Sequence, residues 1–218
     1  MSFIEKLIRF LTTKKYIVKK RYVFYVDTKQ FSDDITEAEQ ADLQIRFFDF
    51  DTESREELSD ILKVVVPEFR LKRYLSRYDQ PDIWKAIFTF CNGKPVACMW
   101  VMIVPYDNFR FDSFLHQSGE IMWGSSYVKP SHRGRRIHNK MKCFFLKNSK
   151  DEFDNNKILS VVEKRNKKSI KSNKRLGVKM YGENYLVKFM GKNIFSIFKD
   201  MNGKWKVWFL PLYKQTHY

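Results

Sequence analysis

The stretch from residue 119 to residue 149 constrains the fold most, because it reads as a strand, a basic glycine loop and a helix in direct succession. The apolar, β-prone run over 121–128 ends just before Pro130. Apolar residues then recur at helical spacing over 136–149. Between the strand and the helix lies a loop that contains Arg133, Gly134, Arg135 and Arg136. The first amides of a helix lack intrahelical partners and lie at its positive end, so this order predicts an anion-binding cradle.

The side chains of the loop suit phosphate oxygens. Gly134 allows either a positive φ or a close backbone approach that a Cβ would prevent. The three arginines add positive charge and forked N–H donors that match phosphate geometry.

The sequence of this stretch resembles motif A of the GNAT superfamily, the acetyl-CoA-dependent N-acyltransferases. The matching positions are Val128, Pro130, Arg133, Gly134 and Ile137. A second match follows at the family's spacing, with a strand-like run over 158–162 between the two motifs: Asn166, Ser169, Asn173, Gly177 and Val178. The resemblance covers residues 84–190.

The resemblance implies that acetyl-CoA is the cofactor and assigns residues to it. The strand residues Tyr127 and Val128 would offer backbone groups to the pantetheine and the acetyl carbonyl. Asn166 would cap its helix and also contact the cofactor arm. Gly177 would end that helix. The complete cofactor-binding set is Tyr127, Val128, Arg133, Gly134, Arg135, Arg136, Ile137, His138, Asn166, Ser169 and Asn173.

The chain departs from the family pattern at three positions. Arg136 and His138 occupy two places where the family has small residues, and we expect Arg136 to bind the diphosphate. Asn173 stands where the family often has the tyrosine that protonates the leaving CoA thiolate. An amide cannot release a proton at neutral pH, so the usual acid is missing or supplied elsewhere.

Acyl transfer to an ammonium group needs a base, and Glu120, at the start of the motif strand, is the first candidate. Asp112 and His116, in the preceding loop, are the next. Tyr181 is the candidate acid, with Tyr185 and solvent as alternatives. Each of these residues also has an ordinary structural interpretation in a loop, a strand or the core.

The acceptor is predicted to be a primary amine that attacks directly in a ternary complex. Residues 1–83 and 105–118, which are rich in aromatic side chains, would line its side of the site. The loop and helix wording is similar to that of GNAT members of bacterial surface-polysaccharide synthesis, which suggests a nucleotide-linked amino sugar. A peptide or protein amine is the other acceptor considered.

The net charge of +16 is concentrated at residues 13–22, 129–150 and 164–179. The last two clusters fit the phosphates of CoA, and the first reads as a solvated surface. An alternative is a non-catalytic protein with a GNAT-like fold that binds nucleic acid, or an anionic membrane surface through residues 2–21. Nucleic acid is disfavoured because no recognised motif for it is present.

The remaining composition favours a cytoplasmic protein. No run of about 18 apolar residues suggests a membrane span, and the N-terminus lacks the features of a signal peptide. The three cysteines are odd in number and lack metal-ligand spacing, which favours free thiols in a reducing compartment and no metal.

The pattern predicts an α/β fold: a mixed, largely antiparallel sheet with a central splayed parallel strand pair, flanked by helices. A helix joins the parallel pair as a right-handed crossover. Residues 1–41 are expected to form an N-terminal helix and strand appendage, and 42–218 the acyltransferase domain. The predicted helices cover 2–12, 54–66, 69–78, 136–149 and 166–176. The predicted strands cover 22–26, 43–48, 84–90, 95–104, 121–128, 157–163, 179–190, 193–198 and 204–210, with a linker at 28–41.

Overall fold

The computed structural model describes residues 3–13, 16–27, 41–111, 114–149, 157–190 and 192–209. The helices are α1 Phe3–Thr13, α2 Arg55–Val65, α3 Glu68–Leu75, α4 Ile137–Asn148 and α5 Lys167–Arg175. The strands are β1 Tyr16–Asp27, β2 Leu43–Phe47, β3 Trp84–Cys91, β4 Lys94–Ile103, β5 Phe109–Phe111, β6 Phe114–His116, β7 Ile121–Val128, β8 Lys157–Glu163, β9 Lys179–Phe189, β10 Lys192–Asp200 and β11 Trp205–Phe209.

Local sequence explains where α2 and α3 begin and end. Ser54 and Glu57 form a capping box, in which the Ser54 side chain accepts from the Glu57 amide and the Glu57 carboxylate accepts from the Ser54 amide. Leu58, Leu62 and Val65 lie on one buried face. Pro67 then separates α2 from α3.

The chain divides into two compact units. The unit with more residues contains residues 26–105 and 119–158. Its strands run in the order β2-β3-β4-β7, with antiparallel pairing throughout. The β3–β4 hairpin turns at Asn92 and Gly93, whose φ angles of +48° and +73° match the predicted two-residue turn. Helix α2 packs on β4, and α4 packs on β3, β4 and β7.

The other unit contains residues 1–25, 106–118 and 159–216, so the boundary falls within β8. Its strands run in the order β8-β1-β9-β10-β11, and β1–β9, β9–β10 and β10–β11 are antiparallel. Gly203, with a φ of +80°, turns β10 into β11 at the predicted Asn-Gly pair.

The predicted fold class is confirmed: the chain is mixed α/β, with largely antiparallel strands and flanking helices. Helix α4 connects β7 to β8 along the chain. The parallel pairing of these two strands and the right-handed crossover stay predictions. None of the helices in the described part is long and apolar enough to span a membrane. The cysteines Cys91, Cys98 and Cys143 are free thiols. The division at residue 41 stays a prediction, and the linker over 28–40 lies outside the described residues.

Three local predictions were wrong. Strand β1 begins at Tyr16 and not at Tyr22, so the basic run is largely strand and not a uniformly solvated surface. Lys19 and Lys20 in it pair with Glu163 and Glu183, at 3.2 and 2.6 Å. The loop over 105–118 contains the β5–β6 hairpin, and a short 3₁₀ helix forms at Pro130–His132 where only loop was expected.

Candidate functional site

Strand β7 carries a β-bulge in its middle. Val101 pairs with Trp123 and Met99 pairs with Ser126, so Gly124 and Ser125 together stand opposite the single residue Trp100. The extra residue moves the side chains beyond it to the other face of the strand. Trp123 therefore lies on the face where Lys142 of α4 reaches its ring, whereas Ser125 lies on the Trp100 face.

The part of β7 that follows the bulge is less buried than the part before it. Residues 121–123 are buried, but 124–128 are each half-buried. The Tyr127 ring lies near two guanidinium groups, with the guanidinium carbons of Arg70 and Arg133 at 5.4 and 5.7 Å from its centroid. The predicted cofactor residues Tyr127 and Val128 are thus at the accessible end of this strand.

Arg133 lies exposed directly after β7. Its Nε donates to the Val128 carbonyl at 3.2 Å, which anchors the side chain along the strand. Its terminal nitrogens have no protein acceptor within the described ranges, so they can bind a ligand oxygen. Gly134 has a φ of +87° and nothing within 4 Å of the place a Cβ would take. The positive φ expected for this glycine is therefore present, and the close approach of a ligand at this position stays a prediction.

The Arg135 side chain contacts Asp42 and Cys91, and its predicted contact with the cofactor stays a prediction. Its Nη2 donates to both carboxylate oxygens of Asp42, at 2.7 and 2.6 Å. Its Nη1 lies 3.4 Å from the Cys91 sulfur, and the Cys91 thiol donates to the same carboxylate. The Arg135 guanidinium lowers the pKa of Asp42, and Asp42 in turn raises that of Arg135. This side chain therefore holds the loop against the residue before β2.

Helix α4 begins without a side-chain cap. Arg136 occupies the N-cap position with a φ of +55°, a left-handed conformation that an L-residue adopts at a cost. Its side chain is exposed and makes no ion pair with any residue that the structure describes. The Arg136 side chain thus gives the first turn of α4 no capping hydrogen bond of the kind that Ser54 gives α2 and Asn166 gives α5. Ile137, in contrast, is buried and serves the core.

His138 and Lys142 lie one turn apart on α4. Burial lowers the pKa of His138 to about 3, and the neighbouring Lys142 lowers it further. Burial also lowers the pKa of Lys142 to about 7, while the Lys142 ammonium lies 4.4 Å from the Trp123 ring centroid. His138 is therefore neutral at pH 7 and can offer a phosphate only a hydrogen bond.

The second predicted motif lies in the other unit, within residues 159–216. The Asn166 side chain accepts from the Ser169 amide at 3.2 Å, which confirms the predicted N-cap. Gly177, with a φ of +68°, follows the end of α5 as predicted. Asn173 is 1% exposed, and its side-chain amide donates to the Ser160 hydroxyl on β8 at 3.3 Å. This bond gives Asn173 a place in the core between α5 and β8.

The candidate catalytic residues differ in their surroundings. Glu120 is half-buried at the start of β7, where its carbonyl accepts from the Val104 amide. His116 is buried, with its Nε2 3.2 Å from the Phe111 carbonyl, and Asp112 lies outside the described residues. Tyr181 is 44% exposed on β9, with its ring 5.5 Å from that of Phe198.

Tyr185 is less suited to proton donation than Tyr181. Its hydroxyl donates to Glu183 at 2.6 Å. Burial raises the pKa of Tyr185, as does the bond to this carboxylate, so the phenol holds its proton more tightly.

Sequence reasoning missed the arginines that face β7 from α3 and its C-terminal turn, Arg70 and Arg77. Their spacing of seven residues, about two helical turns, could have indicated a shared face. Aromatic residues expected to line the acceptor site, among them Tyr74 and Trp84, are instead buried in the core. Nothing local in the sequence marks Asp42 as the partner of Arg135.

No protein-family model matches the sequence, and no curated protein sequence matches it either. Solved structures do match. A GCN5-related N-acetyltransferase from Sphaerobacter thermophilus has a TM-score of 0.58 at 14% identity, over 84% of this chain and 55% of that one. A tandem GNAT protein from the clavulanic acid biosynthesis pathway has a TM-score of 0.58 at 12% identity, over 83% and 57%.

A GCN5-related N-acetyltransferase from Kribbella flavida has a TM-score of 0.53 at 12% identity, over 83% of this chain and 62% of that one. The chain thus spans between 55% and 62% of the length of these three proteins. The similarity shows that the chain has the GNAT fold.

Proposed function

We propose that this chain is an N-acetyltransferase that moves an acetyl group from acetyl-CoA to a primary amine. The observation that carries the proposal is the loop between β7 and α4, where the Arg136 N-cap makes no side-chain capping hydrogen bond and Arg133 is exposed. The GNAT fold of the chain supports the proposal, since the order of strand, loop and helix here is the one that the sequence resemblance implies for the CoA site.

The residues of the loop fit the diphosphate of CoA. Gly134 keeps the loop open because no Cβ projects from it. The Arg136 side chain at the N-cap makes no capping hydrogen bond to the first turn of α4, and Arg133 and Arg136 add positive charge. Arg135 has a supporting role, since its guanidinium stays with Asp42 and holds the loop in place.

Acetyl-CoA supplies the activated acetyl thioester when bound. We assign Tyr127 and Val128 to its pantetheine arm. Asn166 and Ser169, at the start of α5, keep the cofactor contact that the sequence resemblance implies for them. Glu120 is the proposed base, since a carboxylate can accept the ammonium proton that must leave before attack. Direct attack then depends on positioning by these groups.

Tyr181 is the proposed acid for the thiolate, because its phenol is exposed and can exchange its proton with solvent. Asn173 cannot take this role, since an amide has no proton to release and its side chain is bonded to Ser160. For Asn173 we therefore propose only a packing contact with the cofactor.

Thermal unfolding with and without acetyl-CoA tests the proposal, because a ligand that binds only the folded state raises the midpoint. We expect millimolar acetyl-CoA to raise the midpoint of the wild type and to leave that of Arg133→Glu unchanged. Arg55→Glu is the charge-matched control, since Arg55 is exposed on α2 and pairs with Asp79. A wild type that shows no shift would overturn the proposal.

A nucleotide-linked amino sugar is our proposed acceptor. The test is release of free CoA from acetyl-CoA across a panel of such sugars. Binding to nucleic acid or to a membrane through residues 2–21 is disfavoured, because Arg21 is buried and Lys19 and Lys20 pair with carboxylates.

A further inference from the structure

Arg77 is a buried cation enclosed by aromatic rings. The side chain follows α3 and is 1% exposed. Its guanidinium carbon lies 4.1 Å from the Trp84 ring centroid and 5.0 Å from those of Tyr74 and Trp100. Burial lowers the pKa of Arg77 to about 9, which leaves it charged at neutral pH.

The enclosure is rich in donors and poor in acceptors. Arg77 Nη2 donates to the Ser125 hydroxyl at 3.1 Å, while Nε, Nη1 and the Trp100 indole nitrogen have no hydrogen-bond acceptor among the described residues. No carboxylate of the described part of the chain pairs with Arg77. Aromatic faces stabilise a cation only partly, and a buried charge with unsatisfied donors is costly. Such a group therefore favours an anionic oxygen.

Ser125, whose hydroxyl accepts from Arg77, is half-buried and so lies nearer the surface than Arg77 itself. It lies at the β7 bulge, where the strand changes from buried to half-buried. Tyr127, two residues further, lies on the same face and contacts Arg70. Arg70 also has no carboxylate partner in the described ranges. Two guanidiniums from one segment thus face the accessible end of β7 without a counter-charge.

We propose that Arg77 and Arg70 form a subsite for a carboxylate on the acceptor amine, entered beside Ser125. The identity of the ligand as an acceptor rests on the proposed acetyl transfer, but the subsite itself does not. The acceptor class is then an amine that also carries a carboxylate, such as an amino sugar acid. A polycationic amine is repelled by the same two arginines.

A carboxylate built into the chain tests the subsite without any ligand. Ser125→Asp places an anion beside Arg77 Nη2, and Ser125→Asn is the neutral variant of the same shape. We expect the Asp variant to unfold at a higher temperature than the Asn variant at pH 7, because it neutralises the buried charge. An Asp variant that is no more stable than the Asn variant would overturn the proposal.

Added probes test recognition directly. We expect glucosaminuronic acid to bind about tenfold more tightly than glucosamine, by titration calorimetry in the presence of CoA. Arg77→Met should remove this preference, and Arg55→Gln should keep it. Equal binding of the two sugars, or no binding of the acid, would overturn the subsite.

The two proposals fail separately. If acetyl-CoA raises the unfolding midpoint but the carboxylate does not bind, the transferase proposal is supported and the subsite proposal fails. If the carboxylate binds but acetyl-CoA does not raise the unfolding midpoint, the subsite is supported and the transferase proposal fails. If Arg77→Met does not fold, the comparison of Ser125→Asp with Ser125→Asn still decides the matter.

Discussion

Asp42 receives two hydrogen bonds from the single Nη2 atom of Arg135, at 2.7 and 2.6 Å. The pair joins the loop after β7 to the residue before β2, which is far away along the chain but part of the same unit. A positive charge that the motif assigns to phosphate is thus already neutralised. The loop presents Arg133 and Arg136 outward, while Arg135 fixes its position.

A double-mutant cycle between Asp42 and Arg135 tests whether Arg135 anchors the loop and does not bind phosphate. We expect Asp42→Asn and Arg135→Gln each to weaken acetyl-CoA binding several-fold, and the double variant to be no weaker than either alone. The physical reason is that both changes release the same anchor. Calorimetric titration with acetyl-CoA measures the effect. A much larger loss in Arg135→Gln than in Asp42→Asn would instead show that Arg135 binds the phosphate itself.

Arg136→Gly is expected to change stability and binding in opposite directions. Arg136 has a φ of +55°, which costs an L-residue about 1–2 kcal/mol and glycine little. After the entropy cost of glycine, the free energy of unfolding should rise by roughly 0.5–1 kcal/mol. Acetyl-CoA affinity should fall, because a charge at the start of α4 is lost. Urea unfolding and titration measure the two effects, and unchanged affinity would remove Arg136 from the cofactor site.

Gly124 and Gly134 should respond differently to alanine because they are glycines for different reasons. A Cβ on Gly124 would lie 2.8 Å from the Trp100 carbonyl oxygen, so the bulge must distort. A Cβ on Gly134 meets nothing, and only its positive φ is strained. We expect Gly124→Ala to cost about 2–3 kcal/mol of stability and Gly134→Ala about 1 kcal/mol. Equal losses in urea unfolding would contradict this account.

The regular elements could be predicted because their signals are local. Strands β7 and β8 match the predicted 121–128 and 157–163, since an apolar run bounded by breakers needs no distant information. The caps of α2 and α5 followed from Ser54 and Asn166 in the same way.

The site was less predictable because its geometry depends on contacts distant in sequence. The bulge arises from how β4 and β7 pair, and it decides which side chains reach Arg77. Asp42 captures Arg135 from 93 residues away. The motif therefore indicates a phosphate loop but cannot say which of its arginines remain available.

Glu120→Gln tests the proposed base. If the Glu120 carboxylate accepts the ammonium proton, the variant should lose about 10²–10⁴-fold in kcat with little change in the KM for acetyl-CoA. The acidic limb of the pH–rate profile should also flatten. Glu56→Gln, on the exposed side of α2, is the control for loss of one negative charge. A variant with an unchanged profile would assign the base to another group or to water.

Lys142 should make the stability of the chain depend on pH in a direction unusual for a lysine. Burial lowers its pKa to about 7 from the ordinary value of 10.5. Between these two values the unfolded chain binds more protons than the folded chain, so the free energy of unfolding should rise as pH increases through this window.

Lys142→Met should remove this dependence and stabilise the chain by on the order of 1–3 kcal/mol at pH 6, where the buried ammonium is otherwise retained. The difference from the wild type should shrink toward pH 10. Lys147→Met, on the exposed side of α4, is the control and should show no such trend. Urea unfolding at pH 6, 8 and 10 measures the effect. A Met variant less stable than the wild type at pH 6 would mean that the contact of the Lys142 ammonium with the Trp123 ring outweighs its burial.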